Sequence, residues 1–233
     1  MHYETEFHQT LKLLVVPVSL FLCLSCSSED EASSNSTVKD IDGNVYNTVS
    51  IGNQVWMAEN LKVTKYNNGN PIVNITNAAD WNNTVTTGAW CYWGNDPAAN
   101  DDYGKHYNWF AVNDVRGLCP SGWHIPSDQE WTMLADNLGG EDAAGGKMKE
   151  SGLTHWSSPN TDATNESGFT GLPGGTVGFG GFLDLGSYGR WWASNEDVVG
   201  NYSFFVWLSY DDPYLRTSST TKEIGFCVRC LKD

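Results

Sequence analysis

Residues 117–131 read Gly-Leu-Cys-Pro-Ser-Gly-Trp-His-Ile-Pro-Ser-Asp-Gln-Glu-Trp and hold the sharpest structural boundary in the chain. Ser127 with Glu130 three residues later is a capping box, Pro126 stands just before it, and Gly139-Gly140 follows. This predicts a helix over 127–138. Trp131, Leu134 and Leu138 recur at i, i+3 and i+7, so that face packs on a sheet. A second helix is expected across Glu141 to Glu150, weakened by Gly145-Gly146.

Away from this region strands dominate. Asp42-Gly43 and Gly52-Asn53 are turn signals around Val45, Val49, Ile51, Val55 and Trp56, an opening β-meander. Residues 88–93, Gly-Ala-Trp-Cys-Tyr-Trp, read as an aromatic strand. Arg190 to Ser194, Tyr202 to Tyr210 and Glu223 to Leu231 read as closing strands, with 202–210 apolar on both faces. Between Gly168 and Gly189 nine glycines fall in 22 residues, and a long irregular excursion is expected there. The sum is an α+β fold of mixed and antiparallel sheets in one domain, residues 40–233.

The 233 residues are 40% apolar and 13% aromatic, enough to bury a core. A net charge of −15 repels phosphate backbones and anionic membranes, so no nucleic-acid partner is expected. Leu11 to Leu24 forms an apolar stretch too short to span a bilayer, as in a secretory signal. Cys26 follows small Ser25 as in a lipoprotein signal-peptidase box, whereas Cys23 follows bulky Leu22. Residues 1–25 are therefore expected to be a lipoprotein signal peptide, with Cys26 acylated and outer-membrane lipid as its partner. Residues 26–39 are polar and acidic, and are expected to be a disordered tether. Glu29-Asp30-Glu31 resembles the acidic signal that sends lipoproteins of the Bacteroidetes group to the outer face of the outer membrane.

Four later cysteines, Cys91, Cys119, Cys227 and Cys230, are an even set in an exported chain and imply disulfides. Cys227 and Cys230 on one strand would lie about 10 Å apart, so both must pair upstream. Pairings 119–230 with 91–227, and 91–230 with 119–227, both satisfy that.

Four collinear stretches resemble the Fibrobacter succinogenes major paralogous domain family. They are DIDGNVYNTVSIGNQVWMAENLKVTKYNNG (40–69), YGKHYNWFAV (103–112), GLCPSGWHIPSDQEW (117–131) and IGFCVRCLKD (224–233). The resemblance implies a C-type-lectin-like fold, distantly similar to formylglycine-generating sulfatase-modifying proteins, in a bacterial surface lipoprotein. It also implies a Cys119–Cys230 bridge, leaving Cys91 and Cys227 as an added pair. Formylglycine-type oxidation would need a cysteine pair upstream of the GFxxRC ending, and 191–225 contains no cysteine.

No HExxH, GxSxG or P-loop spacing occurs, so no catalytic residue, metal site or cofactor is assigned. His124 is expected to be a buried hydrogen-bonded residue. Asn95, Asp96, Asn100, Asp101 and Asp102 lack calcium-loop spacing and read as a solvated turn. Trp90, Tyr92, Trp93, Trp191 and Trp192 are candidate ligand-binding aromatics, with Trp207 assigned to the core. The expectation is a non-enzymatic binding or adhesion module for a glycan or surface protein. The alternative is a structural surface or appendage component.

Overall fold

The computed structural model describes residues 1–3, 36–81, 83 and 86–233. Cys26, residues 4–25 of the expected signal segment and residues 26–35 of the expected tether lie outside the described residues. Contacts group residues 35–233 into one unit, described below.

Among the described residues fourteen strands run in chain order: β1 (Thr37–Lys39), β2 (Val45–Ile51), β3 (Gln54–Met57), β4 (Val73–Asn74), β5 (Ala89–Cys91), β6 (His106–Asn108) and β7 (Trp123–His124). They continue with β8 (Thr176–Gly178), β9 (Gly181–Leu183), β10 (Tyr188–Glu196), β11 (Tyr202–Ser209), β12 (Arg216–Thr221), β13 (Gly225–Phe226) and β14 (Leu231–Lys232). The helices are α1 (Ala78–Trp81), α2 (Pro97–Asn100), α3 (Trp109–Val112), α4 (Asp128–Asn137) and α5 (Glu141–Met148).

Three sheets result, ordered β1-β2-β3-β14-β7, β10-β11-β12 and β4-β5-β6-β13-β8-β9. Pairing is antiparallel except for β4 with β5. The final residues close two of the sheets, since β13 lies between β6 and β8 and β14 between β3 and β7. The architecture is α+β with mixed and antiparallel sheets.

α4 carries the capping box in full: Glu130 N donates to Ser127 Oγ, and Ser127 N donates to the Glu130 carboxylate (2.7 Å). Its Trp131 and Leu134 join Trp56, Phe169, Trp191 and Leu208 in one core cluster. A second cluster holds Tyr46, Met57, Leu61, Tyr107, Trp192 and Phe226. Trp191 and Trp192 project from opposite faces of β10 because neighbours alternate on a strand. Both faces of that strand are buried at its centre, from Trp191 to Ala193.

Two expectations change, and the weaker second helix is present as α5. Thr37–Lys39 is not tether but an edge strand, Val38 opposite Tyr46, so the ordered domain starts before Asp40. The glycine-rich excursion contains a hairpin, β8 and β9, turned through Phe179 and Gly180 at positive φ. α5 forms despite its glycines because they permit close approach. A Cβ at Gly145 would lie 2.4 Å from the Tyr214 carbonyl, and one at Gly146 would lie 2.6 Å from the Asp162 carbonyl.

Candidate functional site

Trp191 and Trp192 are fully buried and cannot offer a ring to a ligand, which corrects their assignment as binding residues. The Trp191 indole donates to Asn60 Oδ1 (2.7 Å) and the Trp192 indole to the Tyr107 carbonyl (2.7 Å). Trp207, assigned to the core, is only half-buried and stacks under the Arg216 guanidinium. Trp93 is half-buried too, against Phe182, with its indole donating to the Leu183 carbonyl (3.2 Å). Trp90 and Tyr92 meet edge to face at 5.8 Å. Trp90 is buried in the core with its indole donating to the Ile72 carbonyl (3.2 Å), which corrects its assignment as a binding residue. Of the five candidates, Tyr92 lines a cleft.

The cleft encloses about 310 Å³ and is lined by Asn44, Val45, Tyr46, Glu59, Lys62, Tyr92, Asp101 and Lys105. The start of β2 forms one wall. The connection from β3, the end of β5 and the residues entering β6 form the rest. At the rim Lys62 Nζ reaches Asp101 Oδ2 (2.7 Å) and the Tyr92 hydroxyl donates to Asp101 Oδ1 (3.2 Å). Burial raises the Asp101 carboxyl, and the bonds from Lys62 and Tyr92 outweigh it, leaving it below the usual carboxylate range. Tyr46 sits deeper, its hydroxyl donating to Asp40 Oδ2 (2.7 Å) and accepting from Lys62 N (2.9 Å).

Lys105 forms the back of the cleft and is 5% exposed. Its ammonium donates to the Lys62 carbonyl (2.6 Å) and stands 4.9 and 4.7 Å from the ring centroids of Trp90 and Tyr92. Burial lowers its pKa, and Asp101 opposes that. Sequence reasoning missed Lys105, Lys62, Glu59 and Asn44. The available signal was a lysine embedded among aromatics in Tyr103-Gly-Lys-His-Tyr107.

The Cys119–Cys230 bridge is present, with Cα atoms 5.9 Å apart. The expected Cys91–Cys227 bridge is not formed, and both are buried free thiols. The register explains this. Cys91 pairs with His106 on β6, and the β13 register continues Cys227 to the other side of His106, its Sγ 3.9 Å from Nε2. One strand therefore lies between the cysteines. Two strand spacings, about 9.5 Å, exceed the roughly 7 Å that a disulfide spans. Burial pushes the Cys227 thiol up to about 12 and the Cys91 thiol up as well. Between them His106 is buried, which lowers its pKa to about 4.

Among the described residues no three His, Cys, Asp or Glu side chains converge to hold a metal ion. The acidic loop at 95–102 has other partners: Asp96 accepts from Ala98 N and Ala99 N at the start of α2, and Asn100 Nδ2 donates to the Trp93 carbonyl (3.0 Å). His124 is partly exposed rather than buried, hydrogen-bonded to Asp233 (2.7 Å) and Glu130 (2.9 Å).

An α+β domain whose last strands close its sheets, stapled from residue 119 to residue 230 and bearing a lysine-backed cleft, is the class of protein that results. The chain belongs to the Fibrobacter succinogenes major domain family, whose model matches residues 49–232. No curated protein and no solved structure matches it.

Proposed function

We propose that this chain is a non-enzymatic binding module of C-type-lectin-like architecture, held at the outer-membrane surface by lipid on Cys26, with a glycan in the Tyr92–Lys105 cleft. One observation carries the ligand reading: a cleft of saccharide-ring size alternates donors and acceptors, Asn44, Glu59, Lys62, the Tyr92 hydroxyl and Asp101, beside the rings of Tyr46 and Tyr92. Hydroxyl-rich ligands are held by such alternation, with aromatic surface supplying rigid area. The Ser25-Cys26 box and the acidic residues after it support the anchor and the surface location.

The test is retention on a glycan array by the mature chain. Tyr92→Ala and Asp101→Ala are expected to abolish it, and retention unchanged by both would overturn the assignment of the cleft. Cys26→Ala should abolish fatty-acid labelling and release the chain from membranes. Continued membrane retention would remove the anchor from this reading.

The alternative, a structural surface or appendage component, is favoured by one observation. β12, Arg216–Thr221, is an outer strand with mostly exposed side chains and no proline, an edge to which a partner's extended segment could add. Ser218→Pro would block that addition while leaving glycan retention intact.

A further inference from the structure

Seven cationic side chains among the described residues are ion-paired: Lys62 with Asp101, Lys65 with Asp42, Arg116 with Asp114, Lys147 with Glu166, Arg190 with Asp184, Arg216 with Asp212 and Lys222 with Glu196. Lys149 and Arg229 are unpaired and fully buried, but their donors are filled. Lys149 Nζ donates to the carbonyls of Thr161, Ser209 and Asp212 at 2.8 to 2.9 Å. Arg229 donates to Asn60 Oδ1 and to the carbonyls of Met57, Phe169 and Thr170. Lys39 and Lys232 are exposed.

Lys105 differs from all of these. It is buried, makes no ion pair among the described residues, and spends one of three N–H donors, on the Lys62 carbonyl. The rings of Trp90 and Tyr92 stabilise the cation but do not replace two hydrogen bonds. A desolvated ammonium with donors left over is costly. Since Lys105 lines the cleft, its remaining donors face the cleft interior, where a ligand acceptor can replace solvent. The carboxylates nearby are committed: Asp101 to Lys62 and Tyr92, and Glu59 to Asn47, whose N and Nδ2 donate to it at 2.8 and 2.6 Å.

Resting on the glycan reading above, we infer that the ligand is an acidic saccharide, a uronic-acid oligomer whose carboxylate takes the free Lys105 donors while its hydroxyls meet the rim. A neutral sugar would satisfy the rim and leave the cation without a counter-charge. In a chain of net charge −15 an anionic ligand is repelled at long range, and within the cleft Lys62 and Lys105 balance Glu59 and Asp101, so the attraction is confined to the Lys105 ammonium.

The experiment is titration calorimetry of the mature chain with uronic-acid oligosaccharides (galacturonate, glucuronate and mannuronate), each beside its methyl ester, which keeps the shape and removes the charge. At least one acid is expected to bind about tenfold or more tighter than its ester, weakening with added salt. Lys105→Met should bring that acid to the level of the ester, and Lys105→Arg should restore part of the difference. Equal binding of every acid and ester overturns the inference and leaves the glycan reading standing. Binding of no acid, ester or neutral oligosaccharide overturns both. A glutamate oligomer that outcompetes the uronates for Lys105 would assign the cleft to an acidic peptide and overturn the saccharide. The comparison of acid with ester uses the unaltered protein, so it decides the matter even where a Lys105 variant fails to fold.

Discussion

Arg229 grips the side-chain amide of Asn60: its Nε and Nη2 both donate to Asn60 Oδ1, at 3.0 and 2.7 Å. The same oxygen accepts from the Trp191 indole, and Asn60 Nδ2 donates to the Tyr103 carbonyl (2.9 Å). Four distant parts of the chain thus meet at one amide. Burial pushes the Arg229 pKa down to about 9, and it remains charged at neutral pH.

Arg229→Met is therefore expected to cost about 3 kcal/mol or more, because several buried acceptors lose their donor together. Arg229→Lys should recover less than half of that, since one ammonium cannot reproduce a planar two-nitrogen grip. Denaturant unfolding measures both. A cost under 1 kcal/mol for Arg229→Met would show that the network is dispensable.

The Cys119–Cys230 bridge closes a separation of 111 residues. Replacing both cysteines with serine should lower stability by about 2–4 kcal/mol. Alkylation without reductant should find Cys91 and Cys227 unreactive in the folded chain, where burial keeps both thiols protonated. In denaturant both should react. A Cys91–Cys227 bridge recovered by peptide mapping would contradict the strand between them.

His124 clasps the last residue, Asp233, to the start of α4 through Glu130. Burial lowers the His124 pKa, but the bonds to Asp233 and Glu130 outweigh it and the net shift is upward. Burial raises Glu130, and the Ser127 N–H and His124 outweigh that, so it is lowered. The histidine contribution is thus complete below about pH 6.5 and is lost as pH rises through the raised value. The glutamate contribution is present above about pH 4.5 and is lost as pH falls through the lowered one. The clasp is strongest between the two. Its partners are partly exposed, so His124→Gln should cost less than about 1 kcal/mol at pH 5.5 and less still at pH 8.5. Thermal melts at the two values test this, and an equal loss at both would refute the clasp.

The helix at α4 is legible from sequence because its signals are local: Ser127, Glu130 and the apolar spacing fix start and face without tertiary information. α5 is less legible because Gly145 and Gly146 answer to backbone carbonyls at 162, 213 and 214. The cleft is legible only in its aromatics. Lys105 acquires its meaning from the Lys62 carbonyl, 43 residues away, and from the rings of Trp90 on β5 and Tyr92 just after it. The cysteine pairing divides in the same way. The Cys119–Cys230 bridge matches the family resemblance, whereas excluding Cys91–Cys227 requires knowing that β6 runs between them.

Trp191 and Trp192 illustrate how an aromatic pair misleads. Alternation along a strand guarantees that one ring points away from the other, and in most sheets one of the two would meet solvent. Here both faces of β10 are covered: Trp191 lies against Trp131 and Phe169, and Trp192 against Phe205 and Phe226. Alanine at either position should destabilise by about 3–5 kcal/mol through the cavity it leaves and the indole bond it removes. Trp191→Phe should cost less, retaining most of the volume while orphaning one donor's share of Asn60. If either alanine variant kept wild-type stability and lost only ligand retention, these rings would return to the binding surface. Tyr92→Ala should show the opposite pattern, with a small stability change and a large loss of binding, because its ring is half-exposed at the cleft.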